Sequence, residues 1–310
     1  MKILHEIKKL IKRHDLDAYI VPKNDEFFGE YAFPDRLKTI SNFSGSAGFS
    51  IVTKDKNYLF VDGRYLIQSN LESGKKFQIV EIPYTYPKEI LNEKKIQKIG
   101  YDPKLFTSLT LVRYFEKKYK LVPVKINFVD LIYSNYKKKE NFFFKLDDKV
   151  TGEKTTLKIN RLSKILKKYR TDSIFISAPE NVAWLLNIRG KDNPNSPIPN
   201  CRILIDKNKK IYFFSDLKKI KNIKKKINYP KIEFYSFEVF YDVLSKLKSY
   251  FFTIDKLTCS VFYQGLIKSK FKIRNFEDPI YNLKSIKNKV EIDNMKSTHI
   301  KDGAALTKFL

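Results

Sequence analysis

The chain has 310 residues, of which 43% are hydrophobic and 31% charged, and its formal net charge is +27. This length exceeds one typical domain and the apolar content is ample for buried cores, which excludes general disorder and predicts two domains. Lysine dominates arginine throughout, whereas proteins that read base edges favour arginine, so the charge indicates at most salt-sensitive adhesion to polyanions and no specific nucleic-acid binding.

The N-terminal segment MKILHEIKKLIKRH predicts an amphipathic helix rather than a signal peptide, because it lacks a continuous apolar core and a cleavage site. Its apolar face comprises Ile3, Ile7, Leu10 and Ile11. No apolar run approaches the roughly 18 residues of a membrane span. Cys201 and Cys259 lie far apart without metal-ligand spacing, which favours reduced structural thiols. We therefore expect a cytoplasmic protein that does not associate with membranes.

The first half of the chain then alternates strand-like and helix-like segments. The predicted strands are AYIV, FSIVT, YLFVD, FQIVEI, KIGYD and YKLVPV, and the predicted helices lie around GRYLIQSNLES, PKEILNEKK and SLTLVRYFEKKY. The strands FSIVT and YLFVD flank the polar turn KDKN and form a hairpin. Alternation of strands and helices predicts an α/β fold, and the central hairpin makes its sheet mixed.

Three landmarks of this pattern recur at an offset of about 153 to 155 residues. The segment IKKLIKRHDLDAYIV resembles LSKILKKYRTDSIFI, which aligns Asp17 with Asp172 just before a strand in each copy. Likewise SIVTKDKNYLFVD resembles ILIDKNKKIYFFSD, and KIGYD matches FFTID. Three matches in the same order predict two tandem copies of one fold.

The polar segment near residues 140–155 predicts the boundary between the copies, with domain I over 1–140 and domain II over 155–277. A third piece covers 278–310. Its apolar residues follow a roughly helical stripe: Ile286, Val290, Met295, His299, Ala305 and Phe309. This face has no obvious partner before Leu310. We expect an incomplete third domain.

Two short motifs flank the hairpin. SGSAG fits no phosphate-binding pattern and precedes a strand, so Gly45 and Gly48 are expected to permit close backbone packing. In VDGRY, Asp62 is expected to cap a helix that carries Arg64 in its first turn. The arginine then either holds Asp62 or another carboxylate, or offers a fork to a peptide carboxylate or carbonyl, and its spacing leaves both alternatives open.

Residues 180–200 form the other unusual segment, in which an apolar helix enters a proline-rich loop. Trp184 is interpreted as a core residue. We expect Arg189 and Asp192 to pair and brace the loop, with substrate contact as the alternative. Catalytic patterns are scarce, since the three histidines lack partners at metal-ligand spacing: His5, His14 and His299.

Three blocks of the chain together resemble Xaa-Pro aminopeptidases (aminopeptidase P) of the three-domain form. They are ISNFSGSAGFSIV with LFVDGRYLIQ, then NVAWLLNIRGKDNPNSPI, and finally DPIYNLKSIKNKVEIDNMKSTHIKDGAAL. The resemblance implies two creatinase-type N-terminal domains followed by the beginning of a pita-bread catalytic domain. The stretch Pro199-Asn200-Cys201-Arg202 departs from the aromatic-rich strand start that is usual in the family.

The resemblance further implies an enzyme that removes an N-terminal residue when proline follows it. Such enzymes use two divalent metals, often manganese, held by two Asp, one His and two Glu of the catalytic domain. None of these ligands is expected within this chain, which is therefore expected to bind no cofactor and to be inactive alone. Arg64 becomes the leading candidate for substrate contact, His299 receives no catalytic role, and the full-length form is expected to be a homodimer.

A second hypothesis is a stand-alone non-catalytic module that binds or assembles with other chains. A third is a polyanion binder, which would require binding that survives beyond physiological salt.

Overall fold

The computed structural model describes residues 2–29, 31–92, 96–116, 118–136, 141–227 and 229–310. It divides into two compact units. Unit 1 comprises Met1–Lys138 with Ser260–Tyr263, and unit 2 comprises Lys139–Cys259 with Gln264–Leu310. The predicted boundary begins at residue 140, which lies outside the described residues, and the exact domain limits stay a prediction.

Unit 1 is built on one six-stranded sheet with helices on both faces. Its strands are β1 (Ala18–Pro22), β2 (Phe49–Thr53), β3 (Asn57–Asp62), β4 (Gln78–Ile82), β5 (Lys98–Tyr101) and β6 (Lys120–Pro123). Its helices are α1 (Lys2–Arg13), α2 (Arg36–Ser41), α3 (Leu66–Ser73), α4 (Pro87–Asn92), α5 (Ser108–Phe115) and α6 (Phe128–Ile132). A 3₁₀ turn at Gly63–Tyr65 precedes α3.

The strand order in this sheet is β4-β3-β2-β1-β5-β6. The β1–β2 and β2–β3 pairs are antiparallel, whereas β1–β5 and the outer pairs are parallel. All of β1 is buried, and its residues alternate between two hydrophobic clusters, with Tyr19 and Val21 on one face and Ala18 and Ile20 on the other. The sheet is therefore mixed, as the hairpin predicted, and hydrophobic clusters cover both of its faces.

Unit 2 repeats this plan. Its strands are β7 (Phe144–Lys145), β8 (Ser173–Ile176), β9 (Ile188–Arg189), β10 (Arg202–Asp206), β11 (Ile211–Phe214), β12 (Ile232–Tyr235), β13 (Phe251–Ile254) and β14 (Lys272–Asn275). Its helices are α7 (Asp148–Thr151), α8 (Thr155–Lys168), α9 (Pro179–Leu186), α10 (Phe240–Ser245), α11 (Val261–Lys268), α12 (Ile280–Ser285) and α13 (Lys289–Phe309). Only the part of α11 from Gln264 onward belongs to unit 2.

The main sheet of unit 2 has the order β12-β11-β10-β8-β13-β14, which is the order of unit 1 strand for strand. The directions agree as well, because β8 pairs antiparallel with β10 and parallel with β13. The predicted tandem repeat and the mixed α/β class are confirmed. In addition, β7 and β9 form a two-stranded sheet that the sequence did not predict.

Asp17 and Asp172 accept equivalent backbone hydrogen bonds in the two units. A carboxylate oxygen of Asp17 accepts hydrogen bonds from Gln97 N and Lys98 N at 3.1 and 3.0 Å, where β5 begins. The carboxylate of Asp172 accepts from Tyr250 N and Phe251 N at 2.9 and 3.0 Å, where β13 begins. Each aspartate thus binds the beginning of the parallel strand that neighbours the strand following it: Asp17 binds at β5, next to β1, and Asp172 binds at β13, next to β8.

Several elements differ from the sequence predictions. The short helices α2 and α6 were not predicted, and the end of the predicted PKEILNEKK helix, residues 93–95, lies outside the described residues. Where unit 1 has α3, unit 2 has turns over residues 217–226. Ile286 is extended and precedes α13, so it is not part of the predicted helical stripe. Within the described ranges, none of the helices combines the length and apolarity that a bilayer crossing requires.

Replacing Asp172 by alanine is expected to lower the free energy of unfolding by about 1–3 kcal/mol at pH 7, because two strand N–H groups lose their acceptor. Hydrogen bonding from Phe251 N holds the pKa of Asp172 below its usual value. Its stabilisation is therefore present above the unfolded pKa of about 3.9 and is lost as pH falls through the lower native pKa. Urea unfolding at pH 7 and at pH 3 measures both effects.

The control for this experiment is Asp293→Ala, which removes an exposed ion pair within α13. Its effect is expected to stay below about 0.5 kcal/mol at either pH. Equal losses from the two variants at pH 7 would contradict the strand-fastening role of Asp172.

Candidate functional site

The glycine corner of unit 1, residues 44–48, packs closely against the strand and turn beside it. Gly48 has a φ of +149°, and a Cβ atom there would lie 2.9 Å from the Phe60 carbonyl oxygen. A Cβ atom on Gly45 would lie 2.3 Å from the Phe43 ring and 2.8 Å from the Tyr65 ring. Both positions therefore exclude a side chain, and the predicted close-packing role is confirmed.

Arg64 lies directly beside this corner, in the 3₁₀ turn that follows β3. Asp62 caps the turn through a hydrogen bond from Arg64 N to Oδ1 at 3.0 Å. The guanidinium also binds the Asp62 carboxylate with two hydrogen bonds, from Nε at 3.0 Å and from Nη2 at 2.7 Å. Because of the Arg64 side chain, the pKa of Asp62 lies below its usual value. The interpretation that Arg64 holds a nearby carboxylate is thus confirmed.

The side chain of Arg64 is 72% exposed, and its guanidinium carbon lies 5.3 Å from the centre of the Tyr65 ring. Tyr65 in turn contacts the glycine corner through a 2.7 Å hydrogen bond between its hydroxyl and that of Ser46. The bidentate pair fixes the orientation of the guanidinium at an open surface. Substrate contact by Arg64 stays a prediction.

Unit 2 contains a counterpart of this turn. Asp216 follows β11 as Asp62 ends β3, and its Oδ1 accepts a 2.9 Å hydrogen bond from Lys218 N. The cap is therefore repeated, with Lys218 in the place of Arg64. The sequence repeat, which ends in an aspartate in both copies, already contained the signal for this counterpart.

A second polar cluster surrounds Trp184 at the end of α9. The Lys158 ammonium lies 4.1 Å from the centre of the Trp184 ring and donates to Trp184 O and Asn187 Oδ1 at 2.9 and 2.7 Å. The indole Nε1 donates to Glu291 Oε1 of α13 at 3.4 Å. Burial lowers the pKa of Lys158 to about 8. Trp184 packs at the edge of the core, as predicted, but it also supports a buried cation.

The predicted pair of Arg189 and Asp192 is wrong. Arg189 Nη1 instead donates to the carbonyl oxygens of Ala183 and Ile188 at 3.2 and 2.8 Å. Asp192 forms an ion pair with Lys219 and accepts from Asn200 N at 2.7 Å. The proline-rich loop is therefore held by an ion pair with Lys219, a residue outside the loop, and the local spacing of Arg189 and Asp192 did not indicate this partner.

The candidate metal ligands and nucleophiles remain scattered. Within the described ranges, no three His, Cys, Asp or Glu side chains are grouped so that they could hold a metal ion. Both cysteines are buried thiols outside any disulfide, and burial raises the pKa of each thiol, so they are structural thiols as expected. Of the histidines, His14 packs its ring 5.0 Å from that of Phe128, and His299 is exposed on α13.

Two family models, both described as the creatinase/prolidase N-terminal domain, match residues 4–131 and 135–291. The chain is 30% identical over 99% of its length to a probable Xaa-Pro aminopeptidase P of Laccaria bicolor, covering 50% of that protein. It is 32% identical over its full length to Xaa-Pro aminopeptidase 1 of Dictyostelium discoideum, covering 52% of that protein. The chain thus spans about half the length of these relatives.

Among solved structures, the X-prolyl aminopeptidase of Caenorhabditis elegans has a similar fold. The TM-score is 0.89 at 22% identity, over 99% of this chain and 55% of that one. That protein is described as a cytosolic enzyme with a di-nuclear active site.

Replacing Lys158 by methionine is expected to change how the stability of unit 2 depends on pH. The native pKa of about 8 lies below the unfolded value of about 10.4, so the charged lysine destabilises the native state below pH 8. The free energy of unfolding therefore increases as pH rises from about 8 toward about 10.4, because the native state loses the lysine proton before the unfolded state does. Chemical unfolding at pH 7.5 and pH 10 should show this improvement in the parent chain and not in Lys158→Met.

Lys164→Met is the matched control, because Lys164 lies exposed on the same helix, α8. The control should keep the pH dependence of the parent chain. An unaltered dependence in Lys158→Met would contradict the burial of a cation with a lowered pKa.

Proposed function

The chain belongs to the creatinase/prolidase N-terminal domain family, and on that premise we propose that it forms the non-catalytic N-terminal portion of an Xaa-Pro aminopeptidase. The observation that carries the proposal is the pair of family domains in tandem, together with relatives of that name which align along 99–100% of the chain. In this proposal the parent enzyme hydrolyses the N-terminal residue from peptides with proline in the second position.

The two divalent metals of such an enzyme, which we expect to be manganese, find no fitting group of ligands among the residues that the structure describes. The part of the chain that the structure describes groups no three potential ligands. Four of its aspartates are already bound to backbone N–H groups, lysine or arginine: Asp17, Asp62, Asp172 and Asp192. We therefore assign the metals and the hydrolytic step to a catalytic portion outside this chain. The chain alone is proposed to be inactive.

Helix α13 supports this division. Asn288 and Glu291 form a capping box at its N-terminus. Asn288 Nδ2 also donates to Thr151 O of α7 at 2.9 Å, which attaches this end of the helix to the rest of unit 2. Further along, its apolar side chains are exposed: Ile292, Met295, Ile300, Leu306 and Phe309. We propose that residues 278–310 begin the catalytic domain and that the rest of that domain covers this face.

Arg64 is the proposed substrate contact of the chain. Two hydrogen bonds to Asp62 hold the guanidinium in one orientation, and the Arg64 side chain is 72% exposed. Such a guanidinium can bind a peptide carboxylate or carbonyl without losing its orientation. A cytoplasmic homodimer is the proposed state of the full-length enzyme. The alternative is a stand-alone module that binds or assembles with other chains.

The purified 310-residue chain is expected to show no manganese-dependent hydrolysis of an Xaa-Pro peptide, because the metal ligands are assigned to a portion outside it. Release of the N-terminal amino acid, measured over a manganese titration, tests this. A full-length Xaa-Pro aminopeptidase assayed in parallel serves as the positive control. Sustained turnover by the chain would contradict the proposal that it is non-catalytic.

In a full-length enzyme that contains this chain, Arg64→Ala is expected to raise KM for Xaa-Pro peptides by roughly tenfold or more, because one charge-assisted contact is lost. The stability of unit 1 should change by less than about 0.5 kcal/mol, since the Asp62 pair is exposed. Lys218→Ala, at the equivalent turn of unit 2, is the matched control and should leave KM unchanged. Equal KM values for both variants and the parent enzyme would contradict the proposal that Arg64 contacts the substrate.

A further inference from the structure

A buried aspartate, Asp278, joins three elements of unit 2. It follows β14, is only 3% exposed, and its Oδ1 accepts a hydrogen bond from Ile280 N at the beginning of α12. Its Oδ2 accepts from Asn181 Nδ2 of α9 at 2.7 Å. Its backbone N donates to Asp255 Oδ2, just after β13, at 2.9 Å. Asp278 therefore connects α12 to the central part of unit 2.

Unit 1 has the same arrangement with an amide in place of this acid. Asp102 and Asp255 occupy equivalent positions, since the Oδ1 of each accepts from the backbone N two residues later, at 3.0 and 2.8 Å. Asn127 Oδ1 accepts from Val129 N at the beginning of α6, and its Nδ2 donates to Asp102 Oδ2 at 3.0 Å. Unit 1 thus pairs the Asp102 carboxylate with the neutral side chain of Asn127, whereas in unit 2 the Asp255 carboxylate binds the backbone of a residue that is itself an acid, Asp278.

The surroundings of Asp278 compensate its charge only indirectly. From α12, Lys284 donates to Asn181 Oδ1 at 2.6 Å rather than to the carboxylate, and Tyr281 donates to Glu180 Oε1 of α9 at 2.8 Å. The charged groups that face Asp278 are therefore Asp255, Glu180 and Lys284. Burial raises the pKa of Asp278 to about 6, against the two hydrogen bonds it accepts, and Asp255 raises it further.

We propose that the Asp255–Asp278 pair is a pH-sensitive latch, which holds α12 on unit 2 when Asp278 is protonated and loosens it as the carboxyl group ionises. While α12 is packed on unit 2, ionisation of Asp278 places a negative charge in a buried position beside the Asp255 carboxyl group. When α12 separates, that charge reaches water and the penalty is relieved. Because α12 leads into α13, the latch sets how firmly the final helices are attached to unit 2. The equivalent helix of unit 1, capped by Asn127, has no such dependence.

Hydrogen–deuterium exchange of the full chain between pH 5 and pH 8 tests the latch, after correction for the intrinsic exchange rate at each pH. The readout is the protection of α12, where Leu283 N donates to Pro279 O. A docked pKa of about 6 and an open pKa of about 4 predict that this protection falls about tenfold from pH 5 to pH 8. Helix α6, followed in the same sample, is the internal reference and should not change.

Two reciprocal substitutions give the proposal independent tests. Asp278→Asn copies the arrangement of unit 1 and should make the protection of α12 independent of pH within about twofold. Asn127→Asp places a second carboxyl group beside Asp102 and should give α6 a fall in protection with rising pH. The latch is rejected if α12 of the parent chain shows no pH dependence, or if Asp278→Asn keeps the tenfold fall. If Asp278→Asn does not fold, the parent profile and Asn127→Asp decide the question.

Discussion

Both units depend on the pairing of two parallel strands that lie about 80 residues apart in the chain. In unit 1 these are β1 and β5, and in unit 2 they are β8 and β13. An aspartate just before the first strand of each pair, Asp17 or Asp172, accepts two backbone hydrogen bonds from the beginning of the second. This contact sets the register in which a non-local pair forms, and the remaining strands add to its two sides.

Much of this fold could be predicted from the sequence, because buried strands and a repeat leave strong patterns. The repeat aligns Asp17 with Asp172, and the matching hydrogen bonds of the two aspartates confirm that they are equivalent. The short helices α2 and α6 could not be predicted, since five or six residues carry too little periodicity and are fixed by the side-chain caps Asp35 and Asn127. The partner of Asp192 was also beyond local reasoning, because Lys219 is distant in sequence and reaches it only in the folded unit.

The candidate site was predicted only in part, for a related reason. The sequence identified Arg64 and offered Asp62 as its partner, and the structure shows the two-hydrogen-bond pair at an exposed turn. Its function depends on what approaches that turn from outside, which neither the spacing of VDGRY nor the fold of unit 1 specifies. The surplus of lysine gives no guidance either, since it is distributed over the whole sequence.

Two copies of one fold have thus acquired different chemistry at equivalent positions. Unit 1 has an arginine where unit 2 has Lys218, and an amide where unit 2 has the acid Asp278. The repeated scaffold therefore does not by itself fix the chemistry of these positions.

The proposed function is tested most directly by the nucleotide sequence that follows the Leu310 codon in the gene. We expect an open reading frame that continues for a comparable length and encodes the two Asp, one His and two Glu of a two-metal site. A stop codon immediately after Leu310 would contradict it, and the function would then have to be sought in a stand-alone module.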